Sequence, residues 1–89
     1  MTPQIDYGYL PEHMQEGMKL YIENGVKPGR FLRAVLENDL MGAFGKADPI
    51  NQERIRDFCS FLYNNAPRGC YGSPEIVSAW INRFEGQEV

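Results

Sequence analysis

Residues 48–67 read Asp48-Pro49-Ile50-Asn51-Gln52-Glu53-Arg54-Ile55-Arg56-Asp57-Phe58-Cys59-Ser60-Phe61-Leu62-Tyr63-Asn64-Asn65-Ala66-Pro67, and they contain a helix with both of its ends. Asp48 carries an oxygen that can accept from the unpaired N–H groups of a helix start. Pro49 suits the first helical position, where its missing N–H would go unpaired anyway and its fixed φ is already helical. Ile55, Phe58, Cys59 and Leu62 then draw one apolar stripe at helical spacing. Asn64-Asn65-Ala66-Pro67 stops it. The spacing predicts a helix over 49–64.

The same punctuation recurs three times, at Leu10-Pro11-Glu12, Lys27-Pro28-Gly29 and Ser73-Pro74-Glu75. Gly25, Gly45 and Gly86 follow the other three apolar runs, where glycine can take a left-handed closing conformation. One helix is predicted over 11–23, with Met14, Met18, Tyr21 and Ile22 on its stripe. The next begins at Pro28 with Phe31, Leu32, Val35 and Leu36 inward, and continues after a break through Leu40, Met41 and Phe44. The last covers 74–84, with Ile76, Val77, Trp80, Ile81 and Phe84. No stretch alternates as a half-buried strand does. The expected fold is all-α, one compact four-helix domain over residues 1–89 with short loops. Residues 1–9 form an irregular leading segment that lies across the bundle or orders on a partner.

Eighty-nine residues hold one thin core, and four methionines with ten Tyr or Phe favour a homo-oligomer over a monomer. The net charge of −3 opposes bulk electrostatic binding to duplex nucleic acid. No apolar run approaches the roughly 20 residues of a membrane span. The first residues lack both the basic start and the apolar stretch of a secretory signal. A cytosolic address is expected, with Cys59 and Cys70 as free thiols.

The most distinctive polar cluster opens the second helix. Lys27, placed at the N-cap, has no oxygen with which to accept a hydrogen bond. Arg30 and Arg33 follow three residues apart, and cations there oppose the helix dipole. Such a start suits a phosphate or carboxylate, with Gly29 allowing close approach. The alternative is water on the N–H groups and Arg33 paired with Glu37 one turn on. Asp39 continues the apolar stripe of Leu32, Val35 and Leu36, so a partly buried carboxylate is expected, accepting from a neighbouring helix start or meeting an arginine of another subunit, while Asn38 could end the helix. In Arg68-Gly69-Cys70-Tyr71-Gly72-Ser73, Arg68 and Tyr71 could hold a phosphate and stack on a base. They could equally belong to an ordinary turn, with Tyr71 packed on the bundle and Ser73 capping the last helix. The glycines and lysine of residues 42–46 match neither established phosphate-loop spacing. One histidine, His13, and no cysteine pair leave zinc improbable. Nothing assembles a nucleophile, a base and an orienting group. No catalytic residue, metal or cofactor is expected.

Three segments carry a resemblance. They are Lys27-Pro28-Gly29-Arg30-Phe31-Leu32-Arg33-Ala34-Val35-Leu36-Glu37-Asn38-Asp39-Leu40 with its continuation to Asp48, Phe61-Leu62-Tyr63-Asn64-Asn65-Ala66-Pro67 with Cys70-Tyr71-Gly72-Ser73-Pro74-Glu75, and Trp80-Ile81. Together, over residues 10–82, they resemble a family of small uncharacterised proteins of tailed bacteriophages and prophages. The resemblance implies context and transfers no catalytic residue. It implies a small accessory protein acting in the host cytoplasm on host machinery or host defence.

The expected function is therefore a non-enzymatic one: counteracting host defence by sequestering a nucleotide-type signal or other phosphorylated small ligand between subunits. Lys27, Arg30 and Arg33 would hold phosphates, Tyr71 would stack and Arg68 would close over the ligand. The alternative is an inhibitor that binds a host protein through an acidic face built from Glu12, Glu16, Glu23 and Asp57. A virion component is a third reading.

Overall fold

The computed structural model describes residues 5–85, which fold into six α-helices without a strand among the described residues. They are α1 (Glu12–Asn24), α2 (Arg30–Leu36), α3 (Leu40–Lys46), α4 (Pro49–Glu53), α5 (Ile55–Asn65) and α6 (Pro74–Glu85). Single 3-10 turns cover Tyr7–Tyr9 and Arg68–Cys70. The all-α expectation holds, but each of the two middle helices expected from the sequence is two. Asn38 separates α2 from α3 by taking φ +65°, a left-handed conformation that asparagine adopts more readily than most residues. Arg54 separates α4 from α5 (φ −110°, ψ 13°), its N–H shared between Ile50 and Asn51 carbonyls and its guanidinium directed to Asp57 and the Tyr9 carbonyl.

Several helix ends follow the sequence signals. Asp48 Oδ1 accepts from Asn51 N–H at 2.7 Å, Pro49 is the first residue of α4, and Ser73 Oγ accepts from Ile76 N–H at 3.2 Å. Gly25 closes α1 at φ +69°. Other ends do not. Pro28 and Gly29 stay outside the helix, Gly29 in an extended conformation, so Gly29 and not Lys27 is the N-cap of α2. Pro11 likewise precedes α1 as its N-cap. Gly45 lies inside α3, which closes at extended Ala47, because Asp48 must itself be extended ahead of Pro49. Gly86 lies outside the described residues.

The core is one cluster. Met18, Tyr21 and Ile22 of α1 meet Phe31, Leu32 and Leu36 of α2, Phe58, Phe61 and Leu62 of α5, and Val77, Trp80 and Ile81 of α6. Phe31 and Phe58 pack edge to face with centroids 5.0 Å apart, a geometry that adds to plain area burial. Of the expected stripes, Leu40, Met41, Phe44, Cys59 and Ile76 face outward instead. The described part of the leading segment, residues 5–9, lies on the bundle: the Tyr7 ring rests on Phe61 at 5.5 Å and its hydroxyl donates to Glu23 at 2.9 Å. No described helix is long and apolar enough to cross a membrane.

Asp48 also ties α4 to α1, with its Oδ2 3.1 Å from His13 Nε2. The backbone hydrogen bond from Asn51, joined by the bond to His13, holds the Asp48 carboxyl below the ordinary aspartate range. A depressed folded-state pKa contributes stability above the unfolded-state value and loses it as pH falls through the folded-state value. Thermal melts of Asp48→Ala therefore run below those of the parent at pH 7, and the gap narrows at an acid pH below the ordinary aspartate range. Curves separated equally at both pH values would contradict this.

Candidate functional site

Residues 66–72 were expected to be either a ligand-closing loop or an ordinary turn. The structure pins them at three points. Tyr21 hydroxyl donates to the Cys70 carbonyl at 2.6 Å inside the core, Gly72 N–H donates to the Leu36 carbonyl at 2.8 Å, and Cys70 itself is fully buried. Burial pushes the Cys70 thiol up to about 12, so it is an unactivated core group. Gly72 takes φ +139°, a backbone region that residues with side chains rarely adopt, and this turns the chain from the pinned loop into α6.

This anchoring fixes Tyr71 half-buried against the core, with one side on a groove that runs along α5. The groove has a volume of about 540 Å³. Its apolar floor is Val35, Leu62 and Tyr71, and its rim carries Asn38, Arg56, Cys59, Ser60, Tyr63 and Asn64. A second hollow of about 620 Å³ adjoins it, lined by Tyr63, Asn64, Ala66, Arg68 and Tyr71. Tyr63, Asn64 and Tyr71 line both, so the two form one depression with an arginine in each half. Tyr63 is 82% exposed, and its side chain lines both halves. Among the described residues, Arg56 and Arg68 make no ion pair, whereas Arg33 pairs with Glu37 at 2.7 Å and Arg54 with Asp57.

Of the five residues singled out in the sequence, the structure brings Arg68 and Tyr71 together in this depression. Lys27, Arg30 and Arg33 line neither half of it. Lys27 and Arg30 are exposed near the start of α2, and Arg33 is held by Glu37, the pairing weighed against an anion site. Lys27 precedes α2, a seven-residue helix that contains Arg30 and Arg33, and the N-cap position is held by Gly29, which makes no side-chain capping bond. Asp39 is exposed, not buried, and its carboxylate accepts from Gly42 N–H at 2.9 Å as the N-cap of α3. Of the acidic face, Asp57 is taken by Arg54 and Glu23 by Tyr7.

Compared with known proteins, the chain matches no family model, no curated protein and no solved structure. The site is read from its own chemistry.

Arg56 and Tyr63 are not singled out in the sequence, and Asn38 is read there only as a helix end. Arg56, Cys59, Ser60 and Tyr63 stand at i, i+3, i+4 and i+7 on α5, a second face beside the apolar stripe. The signal was an arginine and a tyrosine two turns apart on the same face. Chemically, the depression offers two phenol rings for stacking on a planar group, two unpaired guanidiniums for a phosphate or carboxylate, and two amide side chains for hydrogen bonds.

Proposed function

We propose that this chain is a non-enzymatic phage accessory protein that captures a nucleotide-type ligand in the depression between α5 and residues 66–72, and that it counteracts host defence by sequestering that ligand. One observation carries the reading: Tyr63 and Tyr71 share an open depression with Arg56 and Arg68, and neither arginine is neutralised by a described carboxylate. A base or other planar ring stacks between or against the phenols, and phosphates meet the guanidiniums. Stacking on an aromatic contributes about 1–3 kcal/mol per base. A hydrogen bond to a charged group contributes about 1.5–3 kcal/mol. Each half of the depression, about 540 and about 620 Å³, falls within the range of roughly 300–1,000 Å³ typical of small-molecule sites. Sequestration needs affinity and shape without bond chemistry, which suits a site with no nucleophile beside a base. The phage context rests on the resemblance of residues 10–82.

Native mass spectra of the purified chain, alone and with ATP, cyclic AMP and a cyclic dinucleotide, test the reading. A discrete added mass is expected with at least one nucleotide. Arg68→Ala and Tyr63→Ala each weaken that complex by roughly 10–100-fold, from the magnitudes above. Lys19→Ala, on the outer face of α1, leaves it unchanged. Bare protein across the whole panel contradicts ligand capture, and loss of binding on Arg30→Ala with Arg68→Ala silent contradicts the location.

A further inference from the structure

The depression has two unlike ends. The half along α5 has an aliphatic floor, Val35 and Leu62 beside Tyr71. The other half has no aliphatic residue but Ala66, and it carries Arg68. An apolar floor suits the face of a base, and a guanidinium suits a phosphate. Tyr63, Asn64 and Tyr71 line both halves, so a ligand that reaches from one to the other passes this shared wall. In a nucleotide the part between base and phosphate is the sugar. Two of the wall residues offer it phenols, and the third offers an amide.

What that amide can offer is set by its own hydrogen bonds. Asn64 Nδ2 lies 2.9 Å from the carbonyl oxygen of Ser60 and 3.3 Å from Ser60 Oγ, one turn back on α5. A carbonyl oxygen only accepts, so the atom turned to Ser60 is the amide nitrogen and not the amide oxygen. The donor end of Asn64 is thereby engaged within its own helix, and Oδ1 accepts from no described residue. Asn64 is an exposed residue, which leaves that oxygen open to a ligand. An amide tethered in this way presents an acceptor and selects a group that donates. The sugar of a ribonucleotide has such a group at the 2′ position, and the sugar of a deoxyribonucleotide does not.

We infer that Asn64 is a specificity-determining residue of the depression, its Oδ1 accepting from the ribose 2′-hydroxyl, and that the ligand class is therefore the ribonucleotides. This rests on capture of a nucleotide in the depression, and it adds a contact that neither base nor phosphate supplies. Capture can stand where this contact fails.

Isothermal titration calorimetry of the full chain tests it, with ATP, cyclic AMP and cyclic di-AMP each set beside its 2′-deoxy counterpart. Within a pair the base and the phosphates are identical. The parent is expected to bind the ribose member about 2–12-fold more tightly, the size of one hydrogen bond between neutral groups. Asn64→Ala is expected to bind both members alike, at the affinity the parent shows for the deoxy member. Alanine at this exposed helical position keeps the helix, which circular dichroism confirms. Tyr63→Ala is expected to weaken both members of a pair by the same factor. Equal affinity of the parent for both members overturns the inference and leaves capture standing. A preference for ribose that survives Asn64→Ala overturns the assignment to Asn64. Absence of binding by every probe overturns capture, and this inference with it.

Discussion

Trp80→Ala is expected to lower the melting temperature by about 16–32 °C, at the edge of what the domain can survive. The indole is almost fully buried on α6, where it lies 5.8 Å from the Phe84 ring and 6.5 Å from the Tyr21 ring. Its Nε1 donates to the Tyr21 carbonyl at 3.1 Å, a bond spanning 59 residues of sequence. Truncating a buried Trp to Ala typically costs 3–5 kcal/mol through lost transfer free energy and the cavity left behind. At about 4–8 °C per kcal/mol for a domain this small, a loss near 4 kcal/mol gives the stated shift. Total stability at 0.05–0.15 kcal/mol per residue is roughly 4–13 kcal/mol for this chain. Far-ultraviolet circular dichroism melts check it, since the variant has no tryptophan to follow by fluorescence. Trp80→Phe keeps most of the ring volume and loses the donor, so it should fall between the two. A Trp80→Ala melt within a few degrees of the parent would contradict this account of how α6 is held.

The second large effect sits at a glycine. Gly25→Ala is expected to destabilise the fold by about 3 kcal/mol, from a left-handed backbone penalty of about 1–2 and overpacking of about 1–3 kcal/mol. At φ +69° the residue ends α1, with its N–H donating to the Tyr21 carbonyl at 3.0 Å and Val26 N–H to the Leu20 carbonyl at 3.2 Å. A Cβ there would stand 2.5–2.6 Å from the Cβ, Cγ and Cδ1 atoms of Phe84, so α6 has to shift away. Gly17→Ala provides the contrast. It lies inside α1 at an ordinary helical φ, where a Cβ would touch only Leu32 at 3.8 Å. There the same substitution is expected to stabilise by up to about 1 kcal/mol. Chemical denaturation of the two variants should move midpoints in opposite directions. Equal shifts would show that backbone geometry is not what separates these glycines.

The two positions also show how far the fold could be read from sequence. Gly25 closing α1, Asp48-Pro49 opening α4, Ser73-Pro74 opening α6 and the stop at 64–67 are local signals, and local hydrogen bonding settles them. The first residue of α2 and the split at Arg54 were not legible. Pro28 fits a helix start as well as it fits the non-helical segment it occupies, and the break at Arg54 carries neither glycine nor proline. Periodicity finds an apolar stripe and cannot say what covers it. The stripe of α1 meets the core; that of α3 faces solvent. The binding depression was half legible. Arg68 and Tyr71 are local neighbours, but Arg56 and Tyr63 join them only because the hydrogen bonds from Tyr21 and Gly72 fold the 66–72 loop back beside α5. Lys27, Arg30 and Arg33 are three cations at a proline-marked helix start, a local signal for an anion, whereas their positions relative to that loop are a tertiary fact.

Ligand capture in the depression is the central claim, and amide chemical shifts read it residue by residue. The chain is labelled with ¹⁵N and titrated with ATP, cyclic AMP and a cyclic dinucleotide in turn. Saturable shifts grouped at Asn38, Arg56, Cys59, Tyr63, Arg68 and Tyr71 are the result this account predicts, and Arg68→Ala should abolish them at the same ligand concentrations. An unchanged spectrum with all three probes, or shifts confined to residues 27–33, would contradict it.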